Sequence, residues 1–476
     1  MTLTDINTWQ AAAATLAEGT ATLLALWAER TGEAGIVHLA LRHHDPAQVE
    51  ILSLATDNLH FPSIGRSHAA AILLERAIQD LHGMTADGLP DPRPWLDHGH
   101  RLPAHEANPY VFKPVLGAGV HQIPVGPVHA GTIEPGHFRI SVHGDTVVRL
   151  EARLGYTHKG TMALMRGAPI AHAARLAGRI SGDSTVAYAF AFAHAVESAL
   201  GAEIPPRAAV LRGIMAELER LANHFGDIGA ICNDGGFPLM NAHCAVLREH
   251  ILRLSRACFG HRLMMDLIVP GGVAADLSGA DANTLTTELA ALLKRFEPLV
   301  ELYDKTASLQ DRTVSTGKLP PLLARRLGCG GYVGRASQQD FDARRDMPYP
   351  PYDRATMTVP CRDAGDVDAR VGIRIEEIRQ SVALLLHWLQ KLPDGETFFI
   401  LQDVSEPHAA SVLVEGFRGD IFAHVRVSGG RVEDVFLRDP SWFLWPALES
   451  AIEGNIVADF PLCNKSFNCA YSGHDL

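Results

Sequence analysis

The chain has 476 residues, of which 47% are hydrophobic and 20% charged, with a net charge of -12. Single hydrophobic cores stop growing at roughly 250–300 residues, so this length predicts two or more cores. The acidic balance argues against a nucleic-acid partner, which would need a basic face. There is no basic region followed by an apolar core, and no uncharged apolar run of about 20 residues. We therefore expect a cytoplasmic protein that can sit on a membrane partner.

The first hundred residues predict a small α+β module. An alanine-rich N-terminal helix is followed by short apolar runs such as GIVHLALRHH and VEILSLAT. A second helix is expected over AAAILLERAIQDLHG, ending at Gly83, because glycine commonly terminates helices. The segment 87–109 is rich in proline, glycine and charge. We place the domain boundary there, which gives domains 1–105 and 106–476.

The remaining residues predict a helical bundle with peripheral β hairpins. HFRISVH and TVVRLEA alternate apolar and polar residues around Gly144-Asp145, as hairpin strands do. A second hairpin, HVRVSGGRVEDVFL, is expected to turn at Gly429-Gly430. The stretch TVAYAFAFAHAVESALGAEI contains His194 and indicates a buried helix rather than a membrane span. Helical spacing or composition predicts further helices at about 210–225, 251–263, 282–310 and 371–391.

Seven cysteines are scattered along the chain, and no two form a C-x-x-C pair. Their odd number fits a reducing compartment rather than a disulfide framework. Paired-thiolate metal sites of the C-x-x-C type are therefore absent from the sequence.

Several stretches resemble known families. RSHAAAILLERAIQDLHGMTADGLPDPRPWL is similar to the small hydrophilic subunit of respiratory complex I, and IPVGPVHAGTIEPGHFRISVHGD resembles the large subunit of formate hydrogenlyase-type membrane-bound nickel–iron hydrogenases. RGIMAELERLANHFGDIGAI and GYVGRASQQDFDARRDMPYPPYD are shared with the quinone-proximal subunit of complex I. The end, DPSWFLWPALESAIEGNIVADFPLCNKSFNCAYSGHDL, again resembles the hydrogenase version. The similarity covers nearly the whole chain, in order.

The resemblance implies an α+β fold in which a complex I-like module is fused to a hydrogenase large-subunit-like helical bundle. A pocket would lie between the N- and C-terminal parts of the bundle. The implied partners are a small iron–sulfur subunit like that of complex I, a ferredoxin-like subunit and antiporter-like membrane subunits. The implied location is peripheral, on the cytoplasmic side of the cell membrane.

The nickel-binding residues of that family are missing. Nickel–iron hydrogenases hold their metals with two C-x-x-C pairs, because soft thiolates suit nickel and iron. The matching positions are Ser181 and Ser184 at the front and Ala470 and Gly473 at the rear. Hydroxyl and methyl groups cannot replace four thiolates, so we expect no directly bound metal.

Two cysteines lie near the rear positions without restoring the pair. Cys469 precedes the expected position by one residue, and Cys463 lies six residues before Cys469. One thiolate does not rebuild a site that depends on ligand type and number. Both cysteines are interpreted as small buried hydrophobic residues.

Quinone reduction is the other chemistry of this superfamily, and its signature is also incomplete. Complex I places a tyrosine near the front positions and a histidine on the first hairpin loop. The tyrosine position falls on Gly182, with Tyr188 six residues further on. The loop GPVHAGTIEPGH keeps His129 and has Glu134 near the expected histidine. Quinone therefore stays an open candidate cofactor, and the iron–sulfur cluster would belong to a partner subunit.

Polar residues remain at the front positions. Ser181, Asp183 and Ser184 share one short segment, where Asp183 and Arg179 can form a hydrogen-bonded pair in place of the metal. The alternative is that these residues cap the following helix, TVAYAFAFA, because serine and aspartate favour N-caps.

Glu134 and His158 are further candidates for the pocket. Glu134 resembles the acidic residue with which hydrogenases carry protons, and a carboxylate in a dry pocket has a raised pKa and can relay protons. A surface-loop glutamate is the alternative. His158 in YTHKG matches a position kept in both branches of the family, and a structural role in packing is its alternative.

One helix carries a charged edge in the bundle. Arg212, Glu217, Arg220 and His224 lie at helical spacing. In the family this helix faces the iron–sulfur subunit, so the resemblance implies that Arg212, Arg220 and His224 lie close to the partner's cluster. An ion-paired or solvated helix face is the alternative.

The stretch GRASQQDFDARR resembles the mouth of the family's pocket. Its charged residues are Arg335, Asp340 and Arg344, and their role can equally be structural. No P-loop or G-x-G-x-x-G pattern occurs in the required context, so nucleotide binding is not supported.

Three hypotheses follow. The first is a subunit of a membrane-associated oxidoreductase that couples electron transfer from an iron–sulfur partner to ion translocation through a metal-free pocket. The second is a non-catalytic scaffold in such a complex. The third, an active nickel–iron hydrogenase, is disfavoured by the missing thiolates.

Overall fold

A computed structural model gives the structure of residues 3–44, 47–96, 110–131 and 133–476. The predicted boundary between residues 105 and 106 lies outside these described residues.

The N-terminal module is α+β, as predicted. Its sheet has antiparallel strands in the order β1-β2-β3, and β4 pairs in parallel with β5. The second helix ends at Gly83, which has a positive φ of 63° and donates its N–H to the Gln79 carbonyl, as expected for a glycine helix stop. The elements are α1 (Ile6–Glu18), β1 (Ala21–Thr31), β2 (Ala34–His44), β3 (Ala47–Thr56), β4 (His60–Pro62), α2 (Ile72–His82) and β5 (Thr85–Asp87).

Helices dominate the larger module. Its helices are α3 (Thr161–Met165), α4 (Ile170–Ala177), α5 (Thr185–Leu200), α6 (Pro206–Asp234), α7 (Pro238–Phe259), α8 (Gly279–Lys305), α9 (Ala307–Thr313), α10 (Pro321–Arg326), α11 (Gly331–Ala336), α12 (Ala343–Asp346), α13 (Val367–Gln390), α14 (Ser441–Ala451), α15 (Phe460–Phe467) and α16 (Tyr471–Asp475). The expected buried helix is α5, most of whose residues are buried.

Several helix boundaries differ from the prediction. Helix α6 extends beyond 210–225 at both ends, and α7 begins at Pro238 rather than near residue 251. The apolar pattern extends to residue 263, but α7 ends at Phe259, because Gly260 adopts a left-handed conformation that stops the helix. The predicted helix over 282–310 is divided into α8 and α9, because Thr306 adopts an extended backbone.

Both predicted hairpins are confirmed, and each is part of a three-stranded antiparallel sheet. The first sheet has the order β6-β7-β8 and the second β11-β12-β13. The strands β6 and β11 were not predicted. The strands are β6 (Val120–Val125), β7 (His137–His143), β8 (Thr146–Arg153), the short pair β9 (Ile268–Val269) and β10 (Gly272–Val273), β11 (His408–Gly416), β12 (Gly419–Ser428) and β13 (Arg431–Arg438).

The two modules share one continuous apolar core. Trp27 of β1 stacks on Phe436 of β13 at a centroid distance of 5.4 Å and lies 5.5 Å from Phe422 of β12. At the edge of this contact, the Glu29 carboxylate accepts two hydrogen bonds from Arg426, at 2.8 and 2.6 Å. The N-terminal sheet is therefore packed directly on the C-terminal sheet.

Within the described part of the chain, each helix is too short or too polar to cross a bilayer.

The aromatic contact at Trp27 makes a stability prediction. Trp27→Ala removes a ring that is 2% exposed and leaves a cavity between the sheets. We expect a loss of about 3–5 kcal/mol in the free energy of unfolding, seen as a Tm lower by about 5 °C or more. His60→Ala is the control, because its pair with Asp87 lies on the exposed surface of the same module. Equal Tm values for the two variants would contradict the packing role of Trp27.

Candidate functional site

The front segment (residues 181–184) forms one hydrogen-bonded unit around Asp183. The Asp183 Oδ1 accepts hydrogen bonds from Ser181 Oγ at 2.8 Å and Ser184 Oγ at 3.2 Å. Both serines are buried, whereas the Asp183 side chain is 34% exposed. The three residues that the sequence singled out are thus brought together.

Helix α5 is not capped by the front segment. Neither Ser181 nor Ser184 makes a side-chain bond to the helix backbone. Instead, the Glu219 carboxyl oxygens of α6 accept the backbone N–H groups of Val186 and Ala187, at 2.7 and 3.0 Å. The capping alternative is therefore wrong, because a carboxyl group from another helix occupies the position at the helix N-terminus.

The partner of Asp183 is Arg418, which the sequence analysis missed. Arg418 lies in the two-residue turn between β11 and β12, is 4% exposed, and donates Nη1 and Nη2 to the two Asp183 oxygens at 2.8 and 2.5 Å. The predicted Arg179–Asp183 pair is wrong. Arg179 instead makes an exposed bidentate pair with Asp266, at 2.9 and 2.6 Å.

Arg418 also joins the front segment to the rear segment (residues 468–473). Its Nε donates to the Asn468 carbonyl, and its Nη1 lies 3.2 Å from Ser184 Oγ. The turn that carries Arg418 packs closely against Gly331, where any side chain would collide with the Arg418 carbonyl. A guanidinium thus lies between the front and rear segments.

Charge pairing sets the ionisation of this unit. Burial by itself would raise the pKa of Asp183, but the Arg418 guanidinium and the two serine hydroxyls lower it to about 2. Burial would lower the pKa of Arg418, yet Asp183 holds it well above its usual range. Asp183 and Arg418 are therefore both charged at neutral pH.

A buried carboxylate, Asp439, packs against the rear segment. Asp439 is 1% exposed and accepts hydrogen bonds from Tyr188 OH at 2.6 Å and from the Ser441 N–H at 2.7 Å. A side chain at Gly473 would collide with Asp439 Oδ2, and its Cβ would lie 3.0 Å from the Ala470 Cβ. The space for a thiolate at residue 473 is thus taken by Asp439.

These contacts test whether a nickel–iron centre fits. The four matching positions offer two hydroxyls already donated to Asp183, one methyl group and one glycine, and the neighbouring space holds a guanidinium and the Asp439 carboxylate. In the described residues, no three His, Cys, Asp or Glu side chains are grouped to hold a metal ion. The residues present do not fit the cluster.

Cys463 and Cys469 are both buried, as predicted. Burial raises the pKa of the Cys463 thiol to about 11 and that of Cys469 well above its usual range. Both thiols are therefore protonated at neutral pH and suited to packing rather than to metal binding.

A cavity of about 150 Å³ borders Asp183 and is called the Asp183 cavity. It lies between the front segment, α6, α7 and residues 262–264. Its walls are formed by Gly182, Asp183, Leu218, Glu219, Ala222, Asn223, Arg248, Leu252, Ser255, Arg262, Leu263 and Met264. Burial raises the pKa of Glu219 to about 8, so its carboxyl group holds a proton at neutral pH. An ionised carboxylate and a protonated carboxyl group thus face one small space.

The first hairpin loop contacts the rear segment from outside. His129 Nδ1 donates to the Pro127 carbonyl at 3.2 Å, which leaves Nε2 to accept from Tyr471 OH at 3.3 Å. Glu134 accepts the Ser472 N–H at 3.0 Å, but it is exposed. The predicted dry pocket around Glu134 is therefore wrong, and its role in the structure is to hold the rear segment.

His158 contacts the C-terminal helix and Trp95. Its Nδ1 is 2.7 Å from the Asp475 carbonyl, and its ring meets Trp95 edge-on at 6.1 Å. It lines a second cavity, between the two modules.

The charged residues of α6 point into the bundle rather than to a partner surface. Arg212 is 0% exposed and makes a bidentate pair with Glu197 at 2.8 and 2.6 Å. Arg220 donates to the Gly416 and Glu415 carbonyls, and His224 Nε2 lies 2.8 Å from Glu377. The prediction that these residues face an iron–sulfur partner is wrong, because all three side chains are buried and contact carboxylates or carbonyls inside the bundle.

These side chains belong to a buried ionic network that crosses the bundle. Arg335 pairs with Glu377 at 2.7 Å and with Glu415 at 2.9 Å, while Arg344 pairs with Glu217 at 2.9 Å. Asp340 is exposed and pairs with Arg345 outside it. The structural alternative for Arg335 and Arg344 is thus confirmed.

Comparisons with known proteins agree with this architecture. Residues 234–411 match the family described as "Respiratory-chain NADH dehydrogenase, 49 Kd subunit". The chain is 30% identical to "Formate hydrogenlyase subunit 5" of Escherichia coli (strain K12), over 87% of the chain and 77% of that protein. It is 34% identical to a subunit of the NADH-quinone oxidoreductase of Roseiflexus sp. (strain RS-1), over 71% of the chain and 94% of that subunit. It is 28% identical to "Membrane-bound hydrogenase subunit alpha" of Pyrococcus furiosus, over 74% of the chain and 87% of that protein.

The Arg418–Asp183 pair can be tested by a double-mutant cycle. Asp183→Ala leaves a buried guanidinium without its carboxylate and should cost about 3–5 kcal/mol of unfolding free energy. Arg418→Met combined with Asp183→Ala should recover part of this loss. Asp266→Asn, which affects only the exposed Arg179 pair, should change stability by less than about 1 kcal/mol. Additive effects of the two changes would contradict the pairing.

The same pair predicts a dependence on pH. The pKa of Asp183 is depressed from 3.8 to about 2, so the folded state is favoured above pH 4 and loses this contribution as the pH falls towards 2. After allowance for solvent screening of a side chain that is 34% exposed, the contribution is about 1–2 kcal/mol. Thermal unfolding at pH 5 and pH 2.5 should therefore show a smaller drop for Asp183→Asn than for the wild type. Equal drops would contradict the assignment.

Proposed function

The chain belongs to the family that contains hydrogenase large subunits and the 49 kDa subunit of the respiratory-chain NADH dehydrogenase, and we propose that it works in its complex without a nickel–iron centre. As a member of this family, it is a subunit of a membrane-associated oxidoreductase complex related to complex I and hydrogenases. The proposal concerns the chemistry of its pocket. The observation that carries it is the Arg418 guanidinium bound between the front and rear segments.

We propose that the Asp183 cavity receives a small electron acceptor, such as a quinone headgroup. A volume of about 150 Å³ is of the size that accommodates one ring. Reduction of a quinone to a quinol takes two electrons and two protons. The electrons would come one at a time from the iron–sulfur cluster of a partner subunit. Glu219 would supply one proton at the cavity wall, and solvent water would supply the second and reprotonate Glu219.

Arg418 and Asp183 would act as fixed charges in this reaction. Because Asp183 is ionised and Arg418 is held on three sides, their positions do not change when the acceptor gains charge. Asp183 is the member of the pair that reaches the cavity, so it would orient an acceptor or its proton. This is pocket chemistry rather than a purely scaffolding role.

The mouth of the Asp183 cavity is the place where we propose that a partner docks. Arg248 lines the cavity, is exposed, and makes no ion pair among the described residues. We propose that a small iron–sulfur subunit covers this mouth and closes the cavity. Antiporter-like membrane subunits and a ferredoxin-like subunit complete the proposed complex, with this chain peripheral on the cytoplasmic side.

Two measurements on the purified complex test the proposal. Metal analysis should give less than about 0.1 nickel per chain, because the ligand set does not fit. Asp183→Asn and Glu219→Gln should each lower electron transfer to a soluble quinone analogue by about tenfold or more, while Asp266→Asn leaves it unchanged.

Each contrary outcome points to a different alternative. About one nickel per chain would establish a hydrogenase-type centre. Unchanged electron transfer in both cavity variants, with normal assembly of the complex, would instead support the non-catalytic scaffold.

A further inference from the structure

A further cavity lies where strands β1 and β2 of the N-terminal module meet the larger module, and it is called the Arg42 cavity. It has a volume of about 300 Å³, about twice that of the Asp183 cavity, and the two cavities share no wall residue. The N-terminal module contributes residues 22–24, Arg42 and His44. The larger module contributes the end of α10, residues 338–341 and parts of β12 and β13. Both modules therefore form the wall.

The contacts of Arg42 place its guanidinium on this wall. The Arg42 Cζ lies 3.9 Å from the centre of the Phe341 ring, and Nη2 lies 3.4 Å from Thr22 Oγ1. Phe341 and Thr22 both border the cavity. The guanidinium is thus held between one wall residue from each module, and its charge lies beside the cavity.

The charge of Arg42 has no direct partner. Arg42 is partly buried, its Nε is buried without a hydrogen-bond acceptor, and it forms no ion pair with the residues that the structure describes. Burial lowers the pKa of Arg42, and Asp420 and Asp346 act against this effect from beyond ion-pair distance. A guanidinium keeps its proton in proteins, so this one stays charged. A partly buried cation without a carboxylate is unfavourable, and a bound anion would relieve this cost.

A second unpaired guanidinium reaches the same cavity. Arg325, in the last turn of α10, borders the cavity and is exposed, and no carboxylate pairs with it in the described part of the chain. Burial lowers the pKa of the His44 ring, and Arg42 and Arg325 lower it further. Both guanidiniums are therefore close to His44, whose ring is neutral at neutral pH. The positive charge of this wall comes from Arg42 and Arg325.

The carboxylates on the cavity wall are already paired. Asp420 pairs with Arg438, and Asp340 pairs with Arg345 at 2.8 Å. The charges within each pair cancel, whereas the two guanidiniums described above have no such partner. The cavity is therefore electropositive, which favours an anionic ligand.

We infer that the Arg42 cavity binds a small organic anion whose carboxylate or phosphate group pairs with Arg42 and Arg325. A planar guanidinium presents parallel N–H groups that match two oxygens of such a group. A volume of about 300 Å³ lies at the lower end of the range for small-molecule sites and exceeds the space that one inorganic anion needs. Because the wall comes from both modules, the bound anion strengthens the contact between them. This inference is independent of the Asp183 cavity and of the proposed electron transfer.

Binding can be measured on the full chain at low ionic strength, where charges are weakly screened. Glycerol 3-phosphate is the probe for a phosphate ester, and succinate is the probe for a carboxylate. We expect at least one probe to bind with a dissociation constant below about 1 mM by calorimetry and to raise the Tm. Binding of one probe alone would assign the site to that class of anion, and binding of both would assign it to small oxyanions in general.

Three arginine variants locate the bound anion. Arg42→Met keeps an apolar stem but removes the charge and should weaken binding about tenfold or more. Arg325→Met removes the exposed cation and should weaken binding about three- to tenfold. Arg326→Met is the matched control, because it removes the same charge from the next residue of α10, which is exposed and does not border the cavity. Its affinity should equal the wild type.

Three results would overturn the inference. The first is the absence of binding by either probe to the folded wild-type chain. The second is binding that both Arg42→Met and Arg325→Met leave unchanged. The third is equal weakening by Arg325→Met and Arg326→Met, which would show general attraction to a basic surface. If Arg42→Met fails to fold, Arg325→Met and its control still decide, since both side chains are exposed.

Discussion

The bidentate contact between Arg418 and Asp183 is the constraint on which the rest of the site depends. A guanidinium that is 4% exposed cannot lose its charge, so it requires a carboxylate at hydrogen-bond distance. That requirement fixes the front segment, orients both serines and, through Asn468, positions the rear segment. In nickel–iron hydrogenases, the thiolate–metal bonds join the corresponding segments. Here one ion pair and its hydrogen bonds provide the link.

The same principle operates through the interior of the bundle. Several arginines at 0–1% exposure are paired with carboxylates, as in the contacts of Arg335 with Glu377 and Glu415 and of Arg344 with Glu217. Such pairs contribute little net stability against an apolar core, but removal of one partner is costly. A network of this kind therefore fixes the relative positions of α6, α11, α13 and β11 more than it adds to the free energy of unfolding. The turn that carries Arg418 begins directly after β11, so the network holds it in place.

Sequence patterns predicted what local periodicity and turn residues control. The hairpins at Gly144-Asp145 and Gly429-Gly430, the helix stop at Gly83 and the buried helix α5 follow from alternation, glycine and apolar composition. The grouping of Ser181, Asp183 and Ser184 was also predictable, since residues so close in the chain can hardly separate.

Pairings between distant elements were beyond those patterns. Arg418 lies 235 residues from Asp183, and a lone arginine in a hairpin turn gives no sign of its partner. Arg179 was preferred because it is close in sequence, yet it points to the surface and pairs with Asp266. Likewise, helical spacing shows that Arg212, Arg220 and His224 share a helix. It does not show that their carboxylate partners are buried inside the bundle.

The contacts around the four matching positions bear on whether thiolates could be accommodated there. Cysteines introduced at residues 181, 184 and 470 would replace other small side chains. A cysteine introduced at residue 473 would collide with Asp439. Asp439 cannot simply move, because Tyr188 OH and the Ser441 N–H hold it. Arg418 would still require Asp183, which lies between the two front positions. Restoring four cysteines would therefore place thiolates around an ion pair and a buried carboxylate rather than around an open metal site. The side chains around the four positions therefore fit the proposed metal-free pocket, whose properties follow from its charges.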